Sequence, residues 1–140
     1  SFPTRRSSDL EADAASLPGT YKAWLSTTAL MARDRLTHSP GMYKLVDGTT
    51  VATSWTEIVD GALDNAITVN ALGGSETGYV WTATYHDGLN HPDDCTAWGY
   101  GIEDRDGYAG FSHPLIATSA WTSNATWACD ESLKLYCFQQ

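Results

Sequence analysis

Three cysteines, Cys95, Cys129 and Cys137, lie in the second half of this 140-residue chain and limit its fold more than any other feature. An odd number in a small, acidic, tryptophan-rich chain indicates an extracytoplasmic disulfide protein that lacks one partner cysteine. A Cys95–Cys129 bond would close a loop of ~35 residues and stabilise the fold by roughly 4 kcal/mol. A Cys129–Cys137 bond would contribute roughly 2.5 kcal/mol. A cytosolic protein with three buried thiols is the alternative. The spacing alone leaves this alternative and both disulfide pairings open.

Composition points to one folded domain with an acidic surface. Six Trp and seven Tyr supply the large side chains that disordered chains lack. The net charge of −9 predicts no binding to nucleic acid, heparin or anionic membrane surfaces. No apolar run approaches the ~18 residues of a transmembrane segment.

The first ten residues differ in composition from the rest of the chain. The segment 1–10, SFPTRRSSDL, resembles the translation of a sequencing adapter, so we expect it to be non-native. Residues 11–140 then form a single domain, and the chain is expected to be a fragment whose natural N-terminal part is missing.

Local patterns predict a strand-rich α+β domain. Short strands are expected at 21–26, 43–46, 50–52, 67–69, 79–85 and 133–138. Ser54 and Glu57 have capping-box spacing, which predicts a short helix. Residues 86–114 are rich in glycine and proline and have no sustained period, so a long irregular loop is expected there.

Several sequence blocks carry a family resemblance. They are Gly19–Ser26, Ala32–Thr37, Tyr43–Gly48, Val80–Thr82 and Leu135–Phe138, in this order. These blocks are similar to the endostatin-like domain of bacterial surface proteins and lipoproteins, a domain of unknown function. The resemblance implies a C-type-lectin-like fold, with two helices flanking small antiparallel sheets and a long loop that carries the ligand surface.

The same resemblance implies how the cysteines pair. It places a disulfide between Cys95 and Cys129. It also implies that the partner of Cys137 belongs to sequence upstream of Glu11, so the N-terminal strand and part of the first helix are expected to be missing.

The residues that could carry chemistry are mainly acidic. No phosphate-binding loop, His-Glu-x-x-His helix or Gly-x-Ser-x-Gly elbow is present, so no catalytic residue is expected. Six carboxylates lie in the predicted loop, opposed only by Arg105: Asp87, Asp93, Asp94, Glu103, Asp104 and Asp106. Calcium could bind at Asp93, Asp94, Glu103 and Asp106, because carboxylate oxygens are its preferred ligands. The loop has Asn90-His-Pro-Asp93 in place of the lectin sugar-binding motif, and no other cofactor is expected.

Aromatic residues in the same segment suggest a binding surface. Tyrosine side chains supply contact area at low entropic cost. The candidate ligand-binding residues are Asp87, Asp93, Asp94, Tyr100, Glu103, Asp106 and Tyr108. We therefore expect a non-enzymatic, adhesion-type domain of a bacterial surface or secreted protein, with an extracellular protein or glycan as its ligand. A structural spacer module and, last, a carbohydrate-active hydrolase are the alternatives.

Overall fold

Short strands and single-turn helices make up most of the structure, a computed structural model that describes residues 5–99 and 101–140, with side chains from Leu10 onward. The helices are α1 (Arg5–Ala14), α2 (Ala32–Arg35) and α3 (Trp55–Ile58), and a 3₁₀ turn covers Ser119–Trp121. The strands are β1 (Tyr21–Ala23), β2 (Tyr43–Lys44), β3 (Thr50–Ala52), β4 (Gly78–Trp81), β5 (Asp106–Ser112), β6 (Ala125–Ala128) and β7 (Cys137–Gln139). The predicted strand-rich α+β class is thus confirmed.

Three small antiparallel sheets organise the described chain. β1 pairs with β7, so that Tyr21 lies opposite Gln139. β2 and β3, which lie within the strands predicted at 43–46 and 50–52, pair as a hairpin around Asp47-Gly48. In the third sheet, β5 lies between β4 and β6. A parallel bridge from Val80 to Lys134 places the C-terminal segment beside β4.

The expectation of an irregular loop over 86–114 is wrong for its second half, which contains β5, the central strand of its sheet. Close packing requires two of the glycines that suggested a loop, Gly107 and Gly110. A Cβ atom on Gly107 would lie 2.6 Å from the Trp81 ring and 2.7 Å from the Cys95 sulfur. A Cβ atom on Gly110 would overlap the backbone carbonyl of Trp121.

Other elements are shorter than their local patterns suggest. β4 ends at Trp81, and Ala83 has a positive φ of 42°, so the strand predicted to reach residue 85 stops early. The segment 67–69 forms only an isolated bridge, from Val69 to Ser75. Helix α1 begins at Arg5 and runs across the boundary between the adapter-like segment and residue 11.

Helix α3 forms where the capping-box spacing predicts it, but its cap differs from that motif. The Ser54 side chain makes no capping hydrogen bond. Instead, the Glu57 carboxylate accepts a hydrogen bond from the Thr53 backbone N–H at 2.6 Å.

The core is built around fully buried tryptophans. Trp24 and Trp121 are 0% exposed, and their ring centroids lie 5.2 Å apart. A second cluster packs Trp81 and Leu25 against Cys95 and Cys129. Large aromatic side chains thus supply much of the buried apolar area in a chain with few long elements.

A network of buried hydroxyl groups ties these clusters together. Thr82 Oγ1 donates to the Thr122 carbonyl at 2.6 Å, and Thr122 Oγ1 donates to the Thr84 carbonyl at 3.0 Å. The Ser26 and Thr84 hydroxyls are hydrogen-bonded to each other at 2.8 Å. Each of these side chains is buried, so the network satisfies polar groups that would otherwise be costly to remove from water.

Candidate binding site

The Cys95–Cys129 disulfide anchors the segment that leads into the candidate site. The bond is present, as the family resemblance implies, and both cysteines are buried. Cys137 lies outside this bond, is exposed, and pairs with Ala23 in the β1–β7 register. The disulfide therefore fixes the position of Cys95 against β5 and its neighbours.

Directly after the disulfide anchor, the chain forms one left-handed helical turn. The φ values of the residues Cys95–Trp98 are 51°, 56°, 55° and 60°, and none of them is glycine. Each such residue costs about 1–2 kcal/mol, so the surrounding structure must hold the turn in place. The disulfide secures its start, and the Trp98 indole N–H donates to the Ser26 carbonyl at 2.9 Å.

Asp94 supports this turn from inside the protein. Its side chain is 4% exposed, and its two carboxylate oxygens accept hydrogen bonds from Ala97 N–H at 2.9 Å and Thr28 N–H at 2.8 Å. Both oxygens are thus engaged with backbone donors. These hydrogen bonds give the carboxylate a structural role in holding the turn, whereas contact of Asp94 with a ligand or calcium stays a prediction.

A cluster of stacked rings lies beside the turn. His91 stacks on Tyr108 with ring centroids 3.8 Å apart and an interplanar angle of 7°. The Tyr85 ring centroid lies 5.0 Å from that of His91 and 6.1 Å from that of Tyr108. The Tyr108 hydroxyl is hydrogen-bonded to Ser123 at 3.1 Å, and the Asp93 carboxylate lies 3.7 Å from His91 Nδ1. We call these residues, Tyr85, His91, Asp93, Tyr108 and Ser123, the aromatic–acidic surface.

The imidazole of His91 is neutral in this arrangement. The Asp93 backbone N–H donates to His91 Nδ1 at 3.1 Å, so Nδ1 accepts and the ring proton belongs on Nε2. Partial burial lowers the pKa of His91 below its ordinary value of 6.5, although the nearby Asp93 carboxylate opposes this shift. The 3.7 Å approach of Asp93 thus becomes an ion pair only when His91 is protonated.

The other predicted binding residues are spread around this surface. Asp87 is half-buried and accepts a hydrogen bond from Leu89 N–H at 3.1 Å, which shapes the turn after Tyr85. Glu103 and Asp106 are exposed, and Asp106 opens β5 opposite Ala128. Tyr100 lies outside the described residues.

The calcium expectation is not supported in the part of the chain that the structure describes. There, no group of three or more His, Cys, Asp or Glu side chains is arranged to hold a metal ion. Asp94 faces inward to backbone donors, whereas Glu103 and Asp106 face solvent. Hard-cation binding needs several converging oxygens, and the described carboxylates do not converge.

A groove of about 1110 Å³ lies on another part of the domain. It is lined by α1, the β2–β3 hairpin and the C-terminal segment, and Met42 and Val46 are 60% and 48% exposed at its wall. None of the binding residues predicted from the sequence lines it. The aromatic–acidic surface contains Asp93 and Tyr108, two of the binding residues predicted from the sequence, and is therefore taken as the candidate site.

The binding residues predicted from the sequence include Asp93 and Tyr108 but not three of the neighbours that the structure places beside them. His91, Tyr85 and Ser123 join the surface only because Tyr108 N–H donates to the Asp93 carbonyl at 2.8 Å and β5 lies beside β6. No local sequence signal reports that pairing.

No protein-family model and no curated protein matches this chain. Within the described residues, no helix combines the length and apolar character needed to cross a membrane.

Proposed function

We propose that this domain is a non-enzymatic binding module that works outside the cytoplasm and recognises a protein or glycan through the aromatic–acidic surface. The observation that carries the proposal is the parallel stack of His91 on Tyr108. Contacts within the chain hold both rings in place, so binding would require little further ordering of these side chains.

Polar groups at the edge of the stack supply the directional contacts that a ligand needs. Asp93 and Ser123 are half-buried and lie against His91 and Tyr108 respectively. Aromatic faces with a few oriented polar groups at their rim are typical of recognition surfaces. Exposed Glu103, Asp104 and Asp106 add negative charge, which favours ligands that carry cationic groups.

The disulfide and the sheet arrangement support the rest of the proposal. A buried disulfide is typical of proteins in oxidising compartments. The small antiparallel sheets, the β1–β7 pairing and the Cys95–Cys129 bond agree with a C-type-lectin-like scaffold. We therefore propose that scaffold and a cell-surface or secreted location for the domain.

Binding assays on the intact chain test the function. An oligolysine peptide, a glycan array with and without calcium, and heparin serve as probes at two ionic strengths. We expect binding to the peptide or to a glycan, and Tyr85→Ala and Asp93→Asn should weaken it. Asp13→Asn, an exposed change of the same charge on α1, is the matched control and should have no effect.

The same assays separate the alternatives. Tight heparin binding would contradict an acidic recognition surface. Absence of any ligand, together with tolerance of Tyr85→Ala, would support the structural spacer instead.

A further inference from the structure

His91, in the aromatic–acidic surface, is placed so that protonation of its imidazole must change its contacts. His91 Nδ1 lies 3.1 Å from the Asp93 backbone nitrogen, whose hydrogen it accepts. A proton on Nδ1 would set two donors against each other at that distance, which removes the hydrogen bond. The neutral imidazole therefore holds the backbone of Asp93 in its observed position.

The same protonation would allow His91 to form an ion pair with the Asp93 side chain. Its carboxylate oxygen lies 3.7 Å from Nδ1, within reach of an ion pair once the imidazole is charged. The ionisable groups that contact His91 in the described structure are Asp93 on its own segment, Tyr85 after β4 and Tyr108 on β5. Asp93 is the only one of these three that carries charge near neutral pH.

From this geometry we propose that His91 is an acid-sensitive switch of the binding surface: protonation breaks its contact with the Asp93 backbone and pairs the Asp93 carboxylate internally. A cationic ligand then loses one carboxylate partner and meets a new positive charge. The ligand binds near neutral pH and is released more readily as the pH falls. This effect on binding rests on the function proposed above, whereas the rearrangement of Asp93 does not.

Burial lowers the pKa of His91 and so keeps the ring neutral at pH 7. The switch is therefore set to act below the ordinary histidine pKa of 6.5, in mildly acidic surroundings.

Nuclear magnetic resonance on the intact chain tests the rearrangement without any ligand. We expect the His91 nitrogens to report the Nε2–H tautomer near pH 7.5. The Asp93 amide signal should shift along the same titration curve as the imidazole, with a midpoint below 6.5. A different tautomer, or an Asp93 amide that ignores the His91 titration, would overturn the proposal.

Binding of an oligolysine peptide tests the consequence. The dissociation constant should rise about two- to fivefold between about pH 7.5 and about pH 5.5, as expected for the loss of one exposed charge pair. His91→Asn keeps a side-chain oxygen that can accept from the Asp93 N–H and carries no charge. It also removes the stack on Tyr108, so we expect weaker binding at both pH values and no remaining dependence on pH. His86→Asn, at an exposed histidine, should retain it.

The two proposals fail in different ways. No peptide binding at either pH counts against the proposed function, and the Asp93 amide titration then decides the switch alone. Binding that is equal at both pH values, or equally pH-dependent in His91→Asn, counts against the switch.

Discussion

The indole N–H of Trp24 donates a hydrogen bond to Thr122 Oγ1 at 2.7 Å, joining residues 98 positions apart. The Thr122 hydroxyl in turn donates a hydrogen bond to the Thr84 carbonyl. Trp121, whose ring packs against Trp24, buries an indole N–H with no partner among the described residues. Two neighbouring tryptophans of equal burial thus differ in one hydrogen bond.

This difference predicts unequal effects of two matching substitutions. Trp24→Phe and Trp121→Phe remove similar buried volume, but only Trp24→Phe also removes a hydrogen bond. We expect Trp24→Phe to lower the free energy of unfolding by about 1 kcal/mol more than Trp121→Phe. Denaturant unfolding of both variants measures the difference. Equal losses would mean that the Trp24–Thr122 contact contributes nothing net.

Alanine at Gly107 or Gly110 should destabilise the central sheet strongly. The added Cβ atom meets the Trp81 ring and the Cys95 sulfur at Gly107, and the backbone of Trp121 at Gly110. Overpacking of this kind typically costs about 1–3 kcal/mol, and we expect the larger loss at Gly110 because backbone yields less than side chains. Gly41→Ala is the control, since its Cβ would make only an ordinary 3.7 Å contact with Ser39. Thermal unfolding in which all three variants match the native protein would contradict the predicted clashes.

The positions of β5 and the stacked rings show where sequence reasoning stops. The β2–β3 hairpin was predictable because Asp47-Gly48 gives a local turn signal, and Gly48 indeed has a φ of +90°. β5 was not predictable, because Gly107 and Gly110 are typical of loops in their local sequence. The close packing that requires them involves Trp81 and Trp121, which lie outside that local sequence. The His91–Tyr108 stack depends on that same strand, so it could not be found before the strand was known.

Loss of the Cys95–Cys129 disulfide should be among the most damaging changes to the domain. The bond links residues 34 positions apart, and a loop of that length corresponds to roughly 4 kcal/mol on the chain-entropy description. The double variant Cys95→Ala, Cys129→Ala should lose about this much, measured by denaturant unfolding. Cys137→Ser, at an exposed position, should change the free energy of unfolding by less than about 0.5 kcal/mol. Peptide mapping that found a Cys129–Cys137 bond would contradict the assignment.

The same substitution should cost much more stability at Asp94 than at its neighbour Asp93. Asp94→Asn replaces one acceptor oxygen by an NH₂ group that faces a backbone N–H, either at Thr28 or at Ala97. We expect a loss of about 1–3 kcal/mol, typical of a buried donor left unsatisfied. Asp93→Asn keeps its backbone contact to His91 and should cost under about 0.5 kcal/mol. A stable Asp94→Asn variant would show that the left-handed turn does not depend on this carboxylate.

The stability of the domain should decrease in mild acid because of His91. Burial lowers the pKa of His91 below 6.5 in the folded protein, so below that pH the unfolded chain binds a proton more readily than the native one. The stability that neutral His91 contributes is therefore present above pH 6.5. It is lost as the pH falls through the lowered pKa of His91 in the folded protein. Glu57 and Glu76, whose pKa values are lowered by hydrogen bonds from Thr53 and Lys134, titrate below 4.5 and leave this window clear. As the pH falls through this window, the free energy of unfolding should decline in the native protein and stay flatter in His91→Asn. A native profile as flat as that of the variant would show that the fold does not hold the imidazole neutral.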